Sequence, residues 1–328
     1  MAIKLDLKDR KILYELDTNC RQPLSAIAKK VRLSKQTVIN RVRMLEREGA
    51  IQKYLAIIDL SKLGYSGYKV FIRLQSADKK LAEEIVSYII GHHCVQWASS
   101  TDGEFDLNFN IFAKNSEELY AHLLELNNRY GKFISQRQVM MLTVGKFYLR
   151  DYLIGKNESG ARKPMHFGTR REGGQVLIDE KDRVILHMLG NDARAQVQAI
   201  AHEISLSPDA VRLRIKKLEK MGIIQNYALL LNNSALGQLH YKVLLRMENL
   251  DEKRGKGFEE YLRQHPNVWF SSKAIGQWDG EMNVEVKNQE EFRKIMNEMK
   301  EKFSDIMKDY SVLSIYSVDK FNFYPFEK

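Results

Sequence analysis

The sequence predicts an α+β protein that contains one module twice: a helix-turn-helix unit followed by a ferredoxin-like βαββαβ unit, and then the same pair again. Three observations predict this class. The chain repeats itself at a constant offset, and each copy opens with three short amphipathic helical patterns. Each copy then continues with strand and helix patterns in the order βαββαβ.

The repeat is visible without gaps when residues 8–152 are laid on residues 181–325, an offset of 173 positions. Between residues 8 and 73 this register gives 27 identities in 66 positions. The segment Tyr68-Lys69-Val70, for example, recurs as Tyr241-Lys242-Val243. A unit this long does not build a solenoid, so the repeat predicts two like modules in one polypeptide.

We divide the chain at changes in composition and periodicity. The segments are a helix-turn-helix domain (1–53), a βαββαβ domain (54–152), an exposed basic linker (153–175), a second helix-turn-helix domain (176–226) and a second βαββαβ domain (227–328). The net charge of +10 is uneven, because residues 1–53 carry +7 and the linker +3, whereas residues 176–226 carry only +1. This excess predicts a polyanionic partner for the first domain.

Composition excludes several classes of protein. The two cysteines, Cys20 and Cys94, are too few for a disulfide framework or a cysteine-based zinc site, and they indicate a reducing compartment. No apolar stretch approaches the ~18 residues that span a bilayer, and the N-terminus lacks an apolar signal core. We therefore expect a cytoplasmic protein without membrane contact. No phosphate-binding loop, dinucleotide fingerprint or nucleophile elbow occurs, so we predict neither an enzyme nor a cofactor.

The first three helical patterns have the spacing of a helix-turn-helix. Their apolar faces include Leu13, Ile27 and Val38, and the third pattern ends before Gly49, a residue typical of a helix C-terminus. Ser34 is placed to cap the third helix, and Ser207 takes the same place in the second copy, followed by Pro208 at the first helical position. About four residues separate helices two and three, which predicts that helix three can lie in the major groove.

The third helix presents polar residues of the types that read DNA. Asn and Gln recognise adenine edges, whereas Arg and Lys recognise guanine or phosphate. An ordinary exposed helix face is the simpler interpretation, but the spacing and the +7 charge favour DNA contact. The predicted DNA-binding residues of the first copy are Ser34, Lys35, Gln36, Thr37, Asn40, Arg41, Arg43 and Arg47.

The second copy keeps the helix-turn-helix pattern but changes the residues at the start of the third helix that are expected to contact bases. Lys35-Gln36-Thr37 is replaced by Pro208-Asp209-Ala210, and an aspartate there repels phosphate, although it can accept from cytosine N4. The sequence leaves open a weaker reader, a reader of different specificity and a domain without DNA contact. The candidate DNA-binding residues there are Arg212, Arg214, Lys216 and Lys217.

Two arginines occupy equivalent positions in the two copies, Arg41 and Arg214. Each has two open roles, a phosphate contact or a structural ion pair. The predicted ion-pair partners are Glu46 for Arg41 and Glu219 for Arg214.

The remaining two thirds of each copy alternate strand and helix patterns. In the first copy we predict strands at 55–58, 68–74, 95–99, 105–112 and 139–144, and helices at 78–90 and 116–130. A turn at Asp102-Gly103 joins two of these strands, and Asn115 and Glu118 are spaced as a capping box. The second copy repeats the pattern from Tyr241 to Tyr316.

Several motifs carry a resemblance to a known family. They are Leu7-Lys8-Asp9-Arg10-Lys11-Ile12-Leu13, Leu45-Glu46-Arg47-Glu48-Gly49-Ala50-Ile51, Gly103-Glu104-Phe105-Asp106 and, in the second copy, Gly276-Gln277-Trp278-Asp279. With a helix-turn-helix before a βαββαβ unit, the chain resembles the Lrp/AsnC family of prokaryotic transcription regulators. The resemblance covers nearly the whole chain outside the linker. The chain departs from the family in joining two modules, and in having Arg32 and Ser205 where glycine is common.

The resemblance implies a sequence-specific regulator that binds double-stranded DNA and pairs its modules through their sheets. It also implies an effector site, often for an amino acid, at Gly103, Asp106, Gly276 and Asp279. The competing interpretation is that these glycines make turns and these aspartates satisfy backbone N–H groups. The duplication predicts either a pseudo-dimer within one chain or a homo-oligomer.

Two further functions compete with this one. Sirohaem decarboxylases resemble the same family, but their pocket uses His and Arg and has other residues at the Gly-x-x-Asp turn retained here. An architectural DNA-binding protein would share the charge but not the reading edge. The run His92-His93-Cys94 invites a metal site, but no second His or Cys cluster supports one, and we predict a structural turn without metal.

Overall fold

The computed structural model describes residues 3–155, 165–168, 175–249 and 251–326. The helices and strands of the first module are α1 (Leu7–Thr18), α2 (Leu24–Val31), α3 (Lys35–Arg47), β1 (Ile51–Ile58), β2 (Ser66–Leu74), α4 (Lys79–Gly91), β3 (Val95–Asp102), β4 (Leu107–Ala113), α5 (Ser116–Tyr130) and β5 (Ile134–Phe147). A short strand, β6 (Met165–Gly168), follows.

The second module has the same order of elements. They are α6 (Glu180–Asn191), α7 (Val197–Glu203), α8 (Pro208–Lys220), β7 (Ile224–Leu231), β8 (Leu239–Met247), α9 (Glu252–Gln264), β9 (Val268–Ile275), β10 (Gly280–Val286), α10 (Gln289–Phe303) and β11 (Met307–Phe321). The predicted α+β class, a helix-turn-helix followed by βαββαβ in each copy, is confirmed.

Local sequence accounts for the helix ends. The Ser34 hydroxyl accepts from the Thr37 N–H at 3.0 Å, and Ser207 caps α8 in the same way. Arg32 and Ser205 have positive φ values of 56° and 51°, so each pays the ~1 kcal/mol of a left-handed non-glycine residue.

The predicted capping box at Asn115 is only half formed. Asn115 accepts from the Glu118 N–H at 2.9 Å, but the Glu118 carboxylate accepts from the N–H of Lys114, one residue before the cap.

The two βαββαβ units close into one ring of strands. The first unit has the strand order β5-β2-β4-β3 and the second β11-β8-β10-β9, and β3 pairs with β11 while β5 pairs with β9. We call these two pairings, β3 with β11 and β5 with β9, the seams. The two seams keep the same register, since Ser100↔Ser317 in one is equivalent to Lys273↔Val144 in the other. Of the two assemblies left open by the sequence, the structure has the pseudo-dimer within one chain.

The helix-turn-helix units are exchanged between the modules. Strands β1 and β7 form a separate antiparallel ribbon. The Cys20 N–H donates to the Tyr227 carbonyl at 3.0 Å, and the equivalent Ala193 N–H donates to Tyr54 at 3.1 Å. Each helix-turn-helix is therefore anchored on the ribbon strand that belongs to the other module.

The predicted linker, 153–175, is only partly an exposed coil: Gly155 and Gln175 are exposed, whereas Leu153 and residues 165–168 have regular structure. Leu153 is buried in a 3-10 helix, residues 165–168 form β6 against the end of β5, and the Gln175 amide donates to the Leu63 carbonyl. The expectation of an exposed coil is wrong for Leu153, which is buried, and for residues 165–168, whose backbone pairs with β5. The rest of the predicted linker lies outside the described residues. Within the described ranges, no helix is long and apolar enough to cross a membrane.

Candidate nucleic-acid interface and ligand sites

Helix α3 separates a buried face from a polar one. Val38, Val42 and Leu45 are buried against the rest of the helix-turn-helix. The opposite face exposes Lys35, Gln36, Asn40, Arg43 and Arg47. The Gln36 amide donates to the Asn40 side-chain oxygen at 3.0 Å, so these two amides form one aligned hydrogen-bonding unit. Among the predicted residues, Ser34 and Thr37 are engaged in the helix cap.

Arg41 and Arg214 are structural ion pairs, but with partners that the sequence analysis did not name. The Arg41 guanidinium bridges Asp6 and Asp9 at 2.7 Å each, and Arg214 bridges Asp179 and Asp182. The predicted partners were wrong, because Glu46 and Glu219 instead accept hydrogen bonds from the hydroxyls of Tyr54 and Tyr227.

These bridges fasten α3 and α8 to the first helix of each unit. The backbone N–H of Asp9, with help from Arg41, holds the pKa of Asp6 below its usual range, and the hydrogen bonds to Asp6 and Asp9 raise the pKa of Arg41.

Helix α8 exposes different residues on the equivalent face. Arg212 is paired with Asp209, the residue that replaces Gln36. Leu213 replaces Asn40, and its side chain is 68% exposed. Lys216 and Lys217 are exposed on the same helix. The edge thus keeps cations suited to phosphate but lacks the paired amides of α3.

The two Gly-x-x-Asp turns lie at the seams between the modules. A Cβ on Gly103 would be 2.8 Å from the carbonyl oxygen of Val312 on β11. The Asp106 carboxylate accepts from the Leu74 N–H at 2.6 Å, and Asp279 accepts from Met247 at 2.7 Å. These are the contacts of the turn interpretation: the glycine allows close approach of the seam strands, and the aspartate satisfies backbone donors.

A cavity of about 90 Å³ adjoins Asp279, and it lies between the second module and strand β5 of the first. Apolar side chains from α9 and the sheet form its walls, and the buried Ser272 hydroxyl has no hydrogen-bond partner among the described residues. At its edge Glu259 is paired with both Lys146 and Lys273. Burial opposes the charge of Glu259, but the two lysines prevail and hold its pKa below its usual range.

The polar edge of this cavity is not repeated at the equivalent place in the first module. The residues equivalent to Glu259, Lys273 and Gly280 in the first module are Val86, Ser100 and Leu107. Sequence analysis placed an effector at the turn but did not find Glu259, whose difference from Val86 was the available signal.

The interior of the strand ring holds a buried ionic cluster. Lys69 and Lys242 are equivalent residues, and both donate to the same carboxylate oxygen of Glu281 at 2.8 Å. Burial opposes the charge of Glu281, but the two lysines lower its pKa to about 2. Burial also lowers the pKa of Lys242 to about 8.

A second buried network connects α1 to the second sheet. Arg150 donates to Asp17 on α1 and to Glu285 on β10, each at 2.9 Å, and the Tyr152 hydroxyl donates to Glu285 at 2.6 Å. This network joins a DNA-binding unit to the sheet of the other module.

The His92-His93-Cys94 run does have partners in space. Helix α5 brings Glu118 and His122 to it, and ligand atoms of Cys94, Glu118 and His122 lie within 4.8 Å of one another. Burial and the neighbouring imidazoles lower the pKa of His92 to about 4, and burial also lowers that of His122. This association was not predicted from the sequence, although the i, i+4 spacing of Glu118 and His122 was a signal.

Two helix-turn-helix units, each with an exposed third helix, are carried by paired ferredoxin-like sheets, an architecture that suits a DNA-binding transcription regulator. The AsnC-type helix-turn-helix domain matches residues 5–46 and 178–219. The HTH-type transcriptional regulator FL11 of Pyrococcus abyssi is 33% identical over 123 residues, which cover 38% of this chain and 80% of that protein. The proline dehydrogenase transcriptional activator of Rhodobacter capsulatus is 35% identical over 123 residues, 37% of this chain and 80% of the relative. The chain belongs to the Lrp/AsnC family of transcription regulators.

A solved structure shares the fold over the whole length. The siroheme decarboxylase NirDL superposes with a TM-score of 0.60, covering 98% of this chain and 94% of that one, at 14% identity. This likeness shows that two such modules occur joined in the same arrangement elsewhere, and it concerns the fold alone.

Proposed function

We propose that this regulator reads an asymmetric DNA site, with α3 as the principal reader of bases and α8 as a supporting phosphate contact. The observation that carries the proposal is the difference between the two exposed edges. Helix α3 presents the Gln36–Asn40 amide pair with Lys35 and Arg43, whereas α8 presents an Asp209–Arg212 ion pair and an exposed leucine.

The single-chain architecture supports this proposal. Dimeric helix-turn-helix proteins read two like half-sites because their two reading helices are identical. Here the two reading helices belong to one chain and differ at the positions that face the groove. One half-site would be specified by hydrogen bonds to bases, and the other would contribute mainly backbone affinity.

The test compares variants at equivalent positions. DNA ligands are first selected from a random pool, and affinities are measured at fixed salt. Replacing Lys35, Gln36, Asn40 and Arg43 with Ala should remove base discrimination, since each good bidentate contact contributes about 1–3 kcal/mol. The matched variant, with Leu213 and Lys216, the equivalents of Asn40 and Arg43, changed to Ala, should keep discrimination and mainly reduce the salt slope, by about one unit for a lost phosphate contact.

Equal loss of discrimination in both variants would contradict the assignment of roles. Unchanged discrimination in the α3 variant would contradict it as well. A steep salt slope without any sequence preference in the wild-type chain would favour the architectural alternative.

We also propose that a small zwitterion of the amino-acid type binds in the cavity beside Asp279. The Glu259 carboxylate suits an ammonium group, Lys273 and Lys146 suit a carboxylate, and the apolar walls suit an aliphatic side chain. The unpartnered Ser272 hydroxyl offers one more hydrogen bond.

Thermal unfolding with each of the common amino acids tests the effector site. A ligand present at 100 times its Kd should stabilise the chain by about 2.7 kcal/mol. Glu259→Gln should abolish the shift, whereas Glu260→Gln, one residue further on α9, should preserve it. Stabilisation by no amino acid, or equal stabilisation of both variants, would refute the site. Binding and turnover of an iron porphyrin would instead favour an enzyme that shares this fold.

A further inference from the structure

We propose that Cys94, Glu118, His122 and His93 form a transition-metal site, Zn²⁺ by ligand type, on the helix-covered face of the first sheet. The site lies where the end of α4 meets β3 and α5. It is separate from the DNA-reading edges and from the cavity beside Asp279.

The candidate ligand atoms form two groups of three that share Cys94. Those of Cys94, Glu118 and His122 lie within 4.8 Å of one another, and those of His92, His93 and Cys94 do as well. Zinc bonds of 2.0–2.3 Å in a tetrahedron place ligand atoms about 3.3–3.8 Å apart, so each group of three needs to close by about 1 Å. The ring centres of His93 and His122 are 5.9 Å apart, so His93 must also move towards His122 to complete the set. One thiolate, two imidazoles and one carboxylate are all ligand types that Zn²⁺ accepts.

One member of the cluster has a buried nitrogen without a partner. The His122 Nε2 atom is inaccessible and makes no hydrogen bond within the described part of the chain. A buried polar atom left unpaired costs free energy, so such an atom needs a reason. A metal ion beside Cys94 and Glu118 supplies one.

His92 is the less suitable of the two adjacent histidines. Its Nδ1 accepts from the Cys94 N–H at 3.1 Å, and its carbonyl accepts from the Lys320 ammonium at 2.9 Å. His93 is exposed and makes no such bonds among those described, so it can complete the ligand set and give an ion access from solvent. Glu118 uses one carboxylate oxygen to accept from the Lys114 N–H, which leaves the other for a metal.

The second module shows what this turn needs when it serves structure alone. The residues equivalent to His93, Cys94 and His122 are Pro266, Asn267 and Ile295. The equivalent of His92, His265, is kept, and its Nδ1 again accepts from a backbone N–H, that of Asn267. The fold is therefore built without the Cys and the two further His.

Hydrogen bonding in the second module replaces the proposed ligands. The Asn267 amide donates to the Glu285 carbonyl at 2.8 Å and to the Glu291 carboxylate at 3.3 Å, and Glu291 is the equivalent of Glu118. In the first module the Cys94 thiol is a weaker donor to Glu118 than an amide is. A zinc ion would bind both groups: the S–H bond breaks, a Zn–S bond forms, and the proton leaves to solvent.

The experiment uses the full chain after treatment with a chelator and desalting. Zn²⁺ titration against a chromophoric chelator should give one zinc per chain, and Co²⁺ in its place should give a thiolate-to-cobalt absorption band. The double variant Cys94→Asn, His122→Ile installs residues that the second module already accommodates. It should lose more than about 100-fold in zinc affinity and lack the cobalt band.

Two matched variants keep the result interpretable. Cys20→Ala installs the residue of the second module, Ala193, at the other cysteine, and it should bind zinc like the wild type. His93→Ala changes an exposed side chain and should weaken zinc binding about tenfold or more without lowering the Tm of the metal-free chain. Zinc binding by the double variant with wild-type affinity, or no stoichiometric zinc in the wild type, would overturn the proposal.

Discussion

Removing the Arg150 guanidinium should destabilise the chain strongly. Its side chain is buried between the Asp17 and Glu285 carboxylates, which are themselves buried. Arg150→Met keeps the apolar stem and leaves two carboxylates without their cation. Breaking one buried pair in this way costs about 3–5 kcal/mol, and we expect a loss of that size in the free energy of unfolding.

The equivalent position in the other half of the pseudo-dimer provides the matched control. The residues equivalent to Asp17, Arg150 and Glu285 are Gly190, Phe323 and Phe112. The same fold therefore accepts an uncharged set at this position. The triple variant Asp17→Gly, Arg150→Phe, Glu285→Phe should regain most of the loss and lie within about 2 kcal/mol of the wild type, because no buried charge is left unpaired.

Urea unfolding followed by tryptophan fluorescence is a direct assay, since Arg150 lies 4.7 Å from the ring centre of Trp269. A changed midpoint with an unchanged slope would report stability. A single variant within 1 kcal/mol of the wild type, or a triple variant less stable than the single one, would refute this reasoning about the ionic network.

Three further predictions concern the ring, the seam and the reading helix. The pKa of Glu281 falls from an ordinary 4.5 to about 2. Its ion pairs therefore contribute about 3 kcal/mol to the free energy of unfolding, which is present above pH 4.5 and is lost as the pH falls towards 2. Glu281→Gln should flatten the pH dependence of unfolding in that window. Gly103 has a φ of 133° and faces the Val312 carbonyl, so Gly103→Ala should lower the free energy of unfolding by about 1–3 kcal/mol. Gly91 has open space around it and no positive φ, so Gly91→Ala should be neutral or stabilising. Arg41→Ala should lower the Tm by removing the bridge to Asp6 and Asp9 while leaving the salt slope of DNA binding unchanged; a slope reduced by about one unit would show a phosphate contact instead.

Local features of the fold were predictable because they depend on short-range patterns. The caps at Ser34 and Ser207 and the order of helices and strands follow from periodicity and from single polar residues. The closure of the sheets was not predictable, since it depends on pairing β3 with β11, strands separated by about two hundred residues. The same internal repeat is equally compatible with pairing between chains.

The functional residues likewise include some that could be predicted from the sequence and some that could not. The exposed edge of α3 could be read from helical spacing, and the partners of Arg41 could not, because Asp6 and Asp9 approach it only through packing of α1 on α3. The histidine cluster needed α5 to fold back over β3 before His122 could meet Cys94. Spacing along one helix is local, whereas a site assembled from two elements needs their packing.

The single glutamate in the ring shows why fusion of the two modules matters. Lys69 and Lys242 are equivalent residues that share Glu281, and the residue equivalent to Glu281 is Asn108. If two first modules were to pair, their two buried lysines would face two asparagines and no carboxylate, and an unpaired buried cation is costly. The two modules of one chain together provide two cations and the anion that binds both. The placement of the one carboxylate therefore disfavours pairing of two first modules, and pairing within the chain also places the unlike helices α3 and α8 in one assembly.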